Sequence, residues 1–291
     1  MSDRITGHTR LYALLGTPVG HSGSPKMYNY CFETLGIDGV YVALDMDLER
    51  LPDAMAGIKA MGFAGLNVTM PCKQAVMQYL DEISPEAQVM QACNVVVNQQ
   101  GRWVGYNTDG VGYVEDLKAH GVAVADKVVT VLGAGGAGTA IAVQCALSGA
   151  REVRICNRKG RSYPNAEAVA QRIREYVSGC QVQVLDLEDA AVMQHCVDTS
   201  DILANATSVG MGADTEGIPL PSGVKLYPEL VVSDAVYFPR QTRLLREAEA
   251  QGCQTVNGTG MLIRQGAVAL KLFCGAEMPV DAVYQLVFGE A

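Results

Sequence analysis

Two patterns of apolar residues alternate along the chain. Short runs rich in β-branched and other apolar residues predict buried strands, and segments with apolar residues every three or four positions predict helices between them. Strands that alternate with helices indicate βαβ units, so we predict an α/β fold with a mainly parallel sheet. The predicted strands are residues 11–16, 40–44, 65–69, 95–98, 103–106, 128–132, 152–156, 182–186, 202–205, 230–234 and 255–256.

Helical periodicity separates most of these strands. The predicted helices include residues 26–35, 48–61, 73–79, 110–120 and 139–147, and one or two more follow Gly260. The strands at 95–98 and 103–106 form a predicted hairpin, because Gln99-Gln100-Gly101 lies at the turn.

A glycine-rich turn connects the strand at 128–132 to the helix at 139–147. Gly133, Gly135 and Gly138 give the spacing G-x-G-x-x-G in strand–turn–helix context, which indicates a dinucleotide site. The first glycine permits the tight turn, the second lets backbone approach a pyrophosphate, and the third permits close helix–strand packing. The helix N-terminus then offers N–H groups to the phosphates. We predict that this loop binds the cofactor through Gly133, Ala134, Gly135, Gly136, Ala137 and Gly138.

The position of this turn predicts two domains, since more than a hundred residues precede it. We assign residues 1–109 to a substrate-binding domain and residues 110–257 to a Rossmann-type domain. The C-terminal helices follow the last strand and could return to the first domain, so we expect residues 258–291 to complete it. The expected molecule is two-lobed, with a cleft between the lobes.

Composition and charge narrow the class of protein. The 291 residues are 49% apolar and 18% charged, which is typical of a globular protein. A net charge of −9 disfavours nucleic acid and anionic membranes as partners. Nine scattered cysteines without a C-x-x-C pair, and four histidines without ligand spacing, favour a reduced cytoplasmic protein with no metal site. We expect no signal peptide from the polar start of the sequence, and no apolar run in it has spanning length.

Hydroxyl and amide side chains follow two predicted strands of the first domain. Ser22 and Ser24 alternate before a helix and could bind a carboxylate or a polyol. Ser24 could equally cap that helix, with Pro25 at its first position. Asn67 and Thr69 alternate at the carboxyl end of a strand, where α/β sheets bind ligands.

A lysine and an aspartate are candidates for proton transfer. Lys73 follows the Asn67–Thr69 segment within one loop, and a cleft-facing lysine near a carboxylate can move a proton to or from a reacting oxygen. Asp109 lies between a strand and a helix and offers that carboxylate. The alternatives are a solvated surface lysine and an N-cap aspartate. Asn94 is a further polar residue at the edge of an element.

The residues that follow the second strand of the Rossmann-type domain bear on the choice of nucleotide. No acidic residue is present there for a ribose 2′-hydroxyl, and three cations follow Asn157: Arg158, Lys159 and Arg161. Arg158 can lie over adenine and meet a 2′-phosphate together with Lys159 or Arg161. We therefore predict NADP over NAD, with a solvated turn as the alternative. Thr207, after a later strand, could flank the nicotinamide or belong to a simple turn.

Together these motifs resemble the shikimate dehydrogenase family, which includes the quinate/shikimate dehydrogenases. The resemblance extends from Leu15 to Gln265 and includes many ordered motifs. They are residues 21–25, 67–73, 105–110, 133–138, 157–158, 205–211, 234–239 and 258–265.

The resemblance implies a reaction and a role for each motif. The family interconverts 3-dehydroshikimate and shikimate, or 3-dehydroquinate and quinate, with NADP or NAD. It implies Lys73 and Asp109 as the catalytic pair and Gly258 as a cofactor contact. The implied substrate residues are Ser22, Ser24, Asn67, Thr69, Asn94, Tyr237 and Gln265.

Several residues depart from the family's common pattern and leave the substrate open. Tyr28 stands where many members have histidine, and Arg264 introduces a cation beside Gln265 unless its side chain points outward. The departures suggest a paralogue nearer the quinate/shikimate group. We expect a monomer or homodimer with a small carboxylate substrate. The alternatives are a non-catalytic shikimate or quinate sensor and a dehydrogenase for a modified shikimate.

Overall fold

The computed structural model describes residues 5–160 and 162–289 and divides into two compact units. The first unit contains the chain up to Thr108 and from Gln265 onward, and the second contains Asp109–Arg264. These divisions fall one residue before the first expected boundary and seven residues after the second. The later boundary shifts because a single helix runs through it.

The first unit is built on a six-stranded sheet. Its strand order is β2-β1-β3-β5-β6-β4, where β1 is parallel to β2 and β3, and β5 is antiparallel to β3 and β6. The pairing of β5 with β6 confirms the predicted hairpin. In chain order the elements are β1 (Arg10–Gly16), α1 (Ser24–Thr34), β2 (Gly39–Asp45), α2 (Leu51–Ala60), β3 (Gly65–Val68), α3 (Cys72–Ala75), β4 (Glu82–Ile83), α4 (Pro85–Met90), β5 (Val95–Gln99) and β6 (Arg102–Tyr106).

Apolar side chains cover both faces of this sheet. On one face, Leu15 and Leu66 pack in a cluster with Met55 and Ile58 of α2. Four buried aromatic residues contact one another in a second cluster: Tyr12, Phe32, Tyr28 and Phe273. Coverage of both faces explains why the strands are nearly continuous apolar runs.

The second unit holds a six-stranded sheet whose strands are all parallel, in the order β12-β11-β10-β7-β8-β9. This is the dinucleotide-binding order. Successive strands are added outward on one side of β7 up to β9, and then on the other side from β10 to β12, so the order of succession reverses between β7 and β10. In chain order the elements are α5 (Asp109–Ala119), β7 (Val128–Leu132), α6 (Gly136–Leu147), β8 (Glu152–Asn157), α7 (Tyr163–Tyr176), β9 (Gln181–Asp186), α8 (Ala190–Thr199), β10 (Ile202–Asn205), β11 (Val231–Asp234), α9 (Arg243–Ala250) and β12 (Gln254–Val256).

Two helices complete the chain, α10 (Gly258–Cys274) and α11 (Val280–Phe288). The predicted α/β fold with a Rossmann-type sheet is confirmed. The predicted helix at 73–79 is wrong in detail, since α3 ends at Ala75 and a 3₁₀ turn covers Val76–Tyr79. Strand β4 was not predicted, because two residues are too short to establish a period.

Candidate active site

Sheet topology brings three polar residues to one edge of the first unit. Asn67 lies near the carboxyl end of β3, and its register partner on antiparallel β5 is Val95. Asn94 therefore lies at the same edge, just before β5. Val95 pairs in turn with Tyr106, the last residue of β6, so Thr108 follows at that edge as well.

These residues form a hydrogen-bonded cluster with Gln265. The Asn94 side-chain amide donates to Thr108 Oγ1 at 3.0 Å and to Gln265 Oε1 at 3.4 Å. Asn94 Oδ1 accepts from the Thr108 backbone N–H at 2.7 Å, and Asn67 Nδ2 donates to the Asn94 carbonyl at 3.4 Å. Asn67, Asn94 and Thr108 are buried. Such a cluster can bind several hydroxyl groups through fixed donors and acceptors.

The loop after β3 is held against the end of β1. The Thr69 N–H donates to the Leu15 carbonyl at 2.7 Å, and the Thr17 N–H donates to the Met70 carbonyl at 2.9 Å. A Cβ on Gly16 would lie 2.4 Å from Thr69 Cγ2, and its φ of +151° favours glycine. Residue 16 must therefore be small for Thr69 to keep its place.

Ser22 and Ser24 lie together, with 3.2 Å between their hydroxyl oxygens. Helix α1 begins at Ser24 and its N-cap position is Gly23, which has no side chain to form a cap. The alternative that Ser24 caps this helix is wrong. Instead, Ser22 Oγ accepts from the Ser24 N–H at 3.2 Å. The two hydroxyls are half-buried and remain candidates for binding a carboxylate.

The predicted catalytic pair is divided between the two units. Lys73 is half-buried on the first turn of α3, and its carbonyl accepts from the Cys93 N–H at 2.9 Å. This bond places the Lys73 backbone beside Asn94. Asp109 is half-buried in the second unit and is the first residue inside α5, rather than a residue that precedes the helix as the N-cap alternative requires.

The glycine-rich loop has the geometry needed to hold a pyrophosphate. Gly133 has a φ of +95°, and a Cβ on Gly138 would lie 2.0 Å from the Gly133 carbonyl oxygen. Built Cβ positions on Gly135 and Gly136 have no heavy atom within 4 Å. The loop thus leaves space at the N-terminus of α6, where backbone N–H groups can bind phosphate. These residues fit a dinucleotide.

A cavity of about 270 Å³ lies beside this loop in the second unit. Arg158 and Glu188 are among its lining residues, and most of the others are apolar, which suits an adenine ring. The lining is completed by Leu187, Thr207, Val209, Ile218, Pro219, Leu220 and Pro221.

Acidic residues also lie at this site, which the sequence did not predict. Lys159 Nζ lies 3.1 Å from Asp186 Oδ2, at the end of the neighbouring strand β9. Hydrogen bonding and charge from Asp186 raise the pKa of Lys159. Lys159 therefore has an acidic neighbour at the protein surface, whereas Arg158 lines the cavity and is the better placed cation. Arg161, the third predicted cation, lies outside the described residues.

Asn157 braces the two loops of the nucleotide site. Its Oδ1 accepts from the Ala134 N–H at 3.3 Å, and its Nδ2 donates to Ser162 Oγ at 3.0 Å. The side chain is buried. It therefore shapes the glycine loop directly, and its predicted contact with the cofactor stays a prediction.

A buried carboxylate organises the loops after β10 and β11. Asp234 accepts from Asn205 Nδ2 at 2.9 Å, from the Val236 N–H at 2.9 Å and from Thr242 Oγ1 at 2.7 Å. Asn205 Oδ1 accepts in turn from Thr207 Oγ1 at 2.8 Å. Burial raises the pKa of Asp234 to about 6, although these hydrogen bonds partly offset the effect. This network fixes Thr207 at the cavity wall.

Two other predicted residues lie near this network. Tyr237 is 38% exposed, one residue beyond Val236. Gly258 begins α10, and a Cβ there would lie 2.5 Å from the Ala235 carbonyl oxygen. Packing alone thus explains glycine at 258, and a contact with the cofactor stays a prediction.

Comparison with known proteins assigns the chain to a family. The model of the shikimate dehydrogenase substrate binding domain matches residues 14–96, and that of the shikimate 5′-dehydrogenase C-terminal domain matches residues 258–288. The chain is 45% identical over 288 residues to the shikimate dehydrogenase (NADP(+)) of Listeria monocytogenes, with 99% of each chain covered. The protein belongs to the shikimate dehydrogenase family.

Solved structures of family members agree with this assignment. The shikimate 5-dehydrogenase of Listeria monocytogenes, in complex with shikimate and NAD, is 45% identical with a TM-score of 0.96 and 99% of each chain covered. The Thermus thermophilus enzyme, in complex with NADP(H) and shikimate, is 36% identical with a TM-score of 0.82. That match covers 96% of this chain and 98% of the other. Both domains of this shikimate dehydrogenase family member are included in these matches.

The Arg264 cation, which precedes Gln265 in the sequence, forms an ion pair within the second unit. Its Nε lies 3.3 Å from Asp116 Oδ1 within the second unit, and Asp116 is buried. His120 Nδ1 lies 3.7 Å from the same oxygen. The Arg264 cation is thus paired with Asp116 of its own unit.

Three residues at the candidate site carry no clear functional signal in the sequence. Thr108 belongs to the motif at residues 105–110, where Asp109 is the residue with evident acid–base chemistry. Tyr41 donates to Asn67 Oδ1 at 2.7 Å and belongs to an apolar strand, where no local signal marks it. Glu188 is distant in sequence from Arg158, and only the adjacency of β8 and β9 brings them together.

Two features are absent from the part of the chain that the structure describes. No helix there is long and apolar enough to cross a membrane. No group of three or more His, Cys, Asp or Glu side chains among residues 5–160 and 162–289 could hold a metal ion.

Proposed function

We propose that this protein is an NADP-dependent oxidoreductase that interconverts 3-dehydroshikimate and shikimate. The observation that carries the proposal is identity of 45% to a shikimate dehydrogenase (NADP(+)) across nearly the whole of both chains. The amide and hydroxyl cluster at the β3–β5 edge supplies binding groups suited to a polyhydroxylated ring. Reduction of 3-dehydroquinate to quinate is a second candidate reaction, since a quinate dehydrogenase in complex with NAD matches with a TM-score of 0.83.

The substrate residues all belong to the first unit, except Tyr237. Ser22 and Ser24 would bind the carboxylate, because their hydroxyls lie together at the start of α1. The ring hydroxyls would be bound by Asn67, Thr69, Asn94 and Gln265. Tyr237 would lie close to the substrate when it is bound.

Lys73 and Asp109 would carry the proton. Lys73 would donate a proton to the alkoxide that forms at the reduced carbon, and it would accept that proton in the reverse reaction. Asp109 would orient Lys73 and keep it charged, or share the proton with it. The Lys73 backbone lies beside Asn94, which supports a place for its side chain next to the ring-binding cluster.

The nucleotide would bind to the second unit. Residues Gly133–Gly138 would hold the pyrophosphate and Arg158 the 2′-phosphate, with the contributions of Lys159 and Arg161 secondary. Thr207 and Gly258 would lie along the nucleotide. When bound, the cofactor supplies or accepts a hydride. NAD is the alternative nucleotide, since the Listeria relative was crystallised with it.

A substrate panel crossed with both cofactors tests the proposal. Purified protein is mixed with shikimate or quinate and with NADP⁺ or NAD⁺, and absorbance of the reduced nicotinamide is followed. We expect turnover with shikimate and NADP⁺, at a higher kcat/KM than for any other pair. Tight binding of shikimate without turnover on either cofactor would refute the proposal and favour a non-catalytic sensor.

The proposed partners are these two small molecules. A net charge of −9 argues against nucleic acid and anionic membranes. We also expect a monomer or a homodimer. Sedimentation equilibrium distinguishes the two states.

A further inference from the structure

A buried tyrosine lies behind the proposed ring-binding cluster. Tyr41, on β2, is 2% exposed, and its hydroxyl donates to Asn67 Oδ1 at 2.7 Å. Burial raises the pKa of Tyr41 well above its usual range, so the hydroxyl keeps its proton. This contact gives the oxygen of the buried Asn67 side chain a short hydrogen bond to a neutral donor.

Two neighbours together select one orientation of the Asn67 amide. Its Nδ2 donates to the Asn94 carbonyl at 3.4 Å, while its Oδ1 faces Tyr41. A flipped amide would place Oδ1 against the Asn94 carbonyl oxygen, and two acceptors repel each other. The donor end of Asn67 is thereby held at the side where Asn94 and the end of β3 lie.

Tyr41 is itself held both at its ring and at its backbone. The Tyr28 ring stacks on it with 4.5 Å between ring centroids and 23° between planes. The Asn29 side chain binds the Tyr41 backbone twice, since its Nδ2 donates to the Tyr41 carbonyl at 2.8 Å and its Oδ1 accepts from the Tyr41 N–H at 2.9 Å. These contacts leave the hydroxyl little freedom to move away from Asn67.

Tyr28 extends this support to the helix that carries Gln265. Its hydroxyl donates to the carbonyl of Gly266, the next residue, at 3.3 Å. A continuous series of contacts therefore runs from α10 through Tyr28 and Tyr41 to Asn67. Its two ends adjoin two of the residues that bind the ring in the proposed function.

We propose that Tyr41 is a positioning residue for the substrate site, and that its hydroxyl fixes the Asn67 amide in the orientation that binds a ring hydroxyl. This inference rests on the proposed function, since it needs Asn67 to contact the substrate. Tyr41 does not touch the substrate itself. It acts through Asn67, and Tyr28 supports it.

The chain offers a closely matched control for this role. Tyr12 is the register partner of Tyr41 on β1 and is fully buried. Its ring contacts Phe273, which also contacts the Tyr28 ring stacked on Tyr41. Its hydroxyl has no hydrogen-bond partner among the described residues. Tyr12→Phe and Tyr41→Phe therefore remove the same atom from neighbouring sites, but only Tyr41→Phe removes a bond to Asn67.

The test compares the steady-state kinetics of these two variants. We expect Tyr41→Phe to raise the KM for shikimate about tenfold, because a buried Asn67 oxygen loses its donor. The KM for NADP⁺ and kcat are expected to change less than about twofold. Tyr12→Phe is expected to leave all three constants near their original values. Equal effects of the two variants, or equal changes for shikimate and NADP⁺, would overturn the inference.

A double-mutant cycle with Asn67→Ala tests this inference separately from the proposed function on which it rests. If Tyr41 acts through Asn67, adding Tyr41→Phe to Asn67→Ala has no further effect on the shikimate KM. Additive effects would refute the positioning role and leave the proposed function intact. An Asn67→Ala variant with unchanged shikimate KM would refute the proposed role of Asn67 and this inference with it. Thermal melting of each variant shows whether it is folded. We expect Tyr41→Phe to fold, because phenylalanine keeps the ring on which Tyr28 stacks.

Discussion

Asp234 should make the free energy of unfolding depend on pH with a sign opposite to that of most carboxylates. It is 2% exposed, and burial raises its pKa to about 6 from an ordinary value of 3.8. Its hydrogen-bond partners, Thr242, Val236 and Asn205, are neutral groups. The substitution Asp234→Asn keeps the size of the side chain and removes its titration.

The sign follows from proton binding in the two states. At pH values between the ordinary and the raised pKa, Asp234 is protonated in the folded protein and ionised in the unfolded one. The stability that this group contributes is therefore fully present below about pH 4 and is lost as the pH rises through about 6. The two pKa values differ by about two pH units, which corresponds to about 3 kcal/mol of unfolding free energy.

The measurement is the difference in unfolding free energy between the original protein and Asp234→Asn from pH 4 to pH 8. Urea unfolding is followed by far-UV circular dichroism, because Trp103, the single tryptophan, lies in the first unit and Asp234 in the second. We expect the advantage of the original protein over the variant to fall by about 2 kcal/mol between pH 4 and pH 8, since the unfolded carboxyl is still partly protonated at pH 4. Taking the difference cancels the titration of all other groups.

Asp201 supplies a control of opposite sign. Burial works to raise its pKa, but hydrogen bonds from the Val128 N–H and the Lys127 ammonium outweigh this effect and lower it. The advantage over Asp201→Asn should therefore fall as the solution is acidified. A difference curve for Asp234→Asn that is flat within about 1 kcal/mol, or that rises with pH, would refute the reasoning from burial.

Three further predictions concern the proposed site. Lys73→Ala should lower kcat by about 10²- to 10⁴-fold with little change in shikimate affinity, and full turnover by this variant would remove the proton-transfer role. Gly138→Ala should abolish tight NADP⁺ binding and lower the melting temperature, since its Cβ would lie 2.0 Å from the Gly133 oxygen. Gly57→Ala on α2 should melt at or above the original temperature, because its Cβ would make only an ordinary contact, 3.8 Å from Met61 Cε. Arg158→Ala should raise the KM for NADP⁺ at least about tenfold and leave the KM for NAD⁺ nearly unchanged. Lys159→Ala should have a smaller effect, because Lys159 pairs with Asp186. Equal effects of Arg158→Ala on both nucleotides would contradict its role in binding a 2′-phosphate.

Most of the second unit could be predicted from sequence because its signals are local. Residues 128–138 specify a strand, a turn and a helix start, and the close approach of Gly138 to the Gly133 carbonyl lies within that segment. The helix start was placed three residues late, at 139, because Gly136, Ala137 and Gly138 carry no apolar period.

Residues joined by sheet pairing could not be predicted in the same way. Tyr41 and Asn67 are 26 positions apart, and they meet because β2 and β3 both flank β1. Asp186 meets Lys159 because β9 pairs with β8. A period in the sequence indicates which face a residue occupies, but it does not give the strand order that decides its neighbours.

Helix α10 carries both the Arg264 cation and the Gln265 amide, which belongs to the hydrogen-bonded cluster with Asn94 and Thr108. Successive residues of an α-helix point about 100° apart around its axis. Arg264 is directed to Asp116 at 3.3 Å, so Gln265 points to a different side, where its Oε1 lies 3.4 Å from both Asn94 Nδ2 and Thr108 Oγ1. A buried carboxylate that loses its cation is strongly destabilised, which ties Arg264 to Asp116 rather than to a ligand. Helix geometry therefore keeps the two polar groups separate although they are adjacent in sequence.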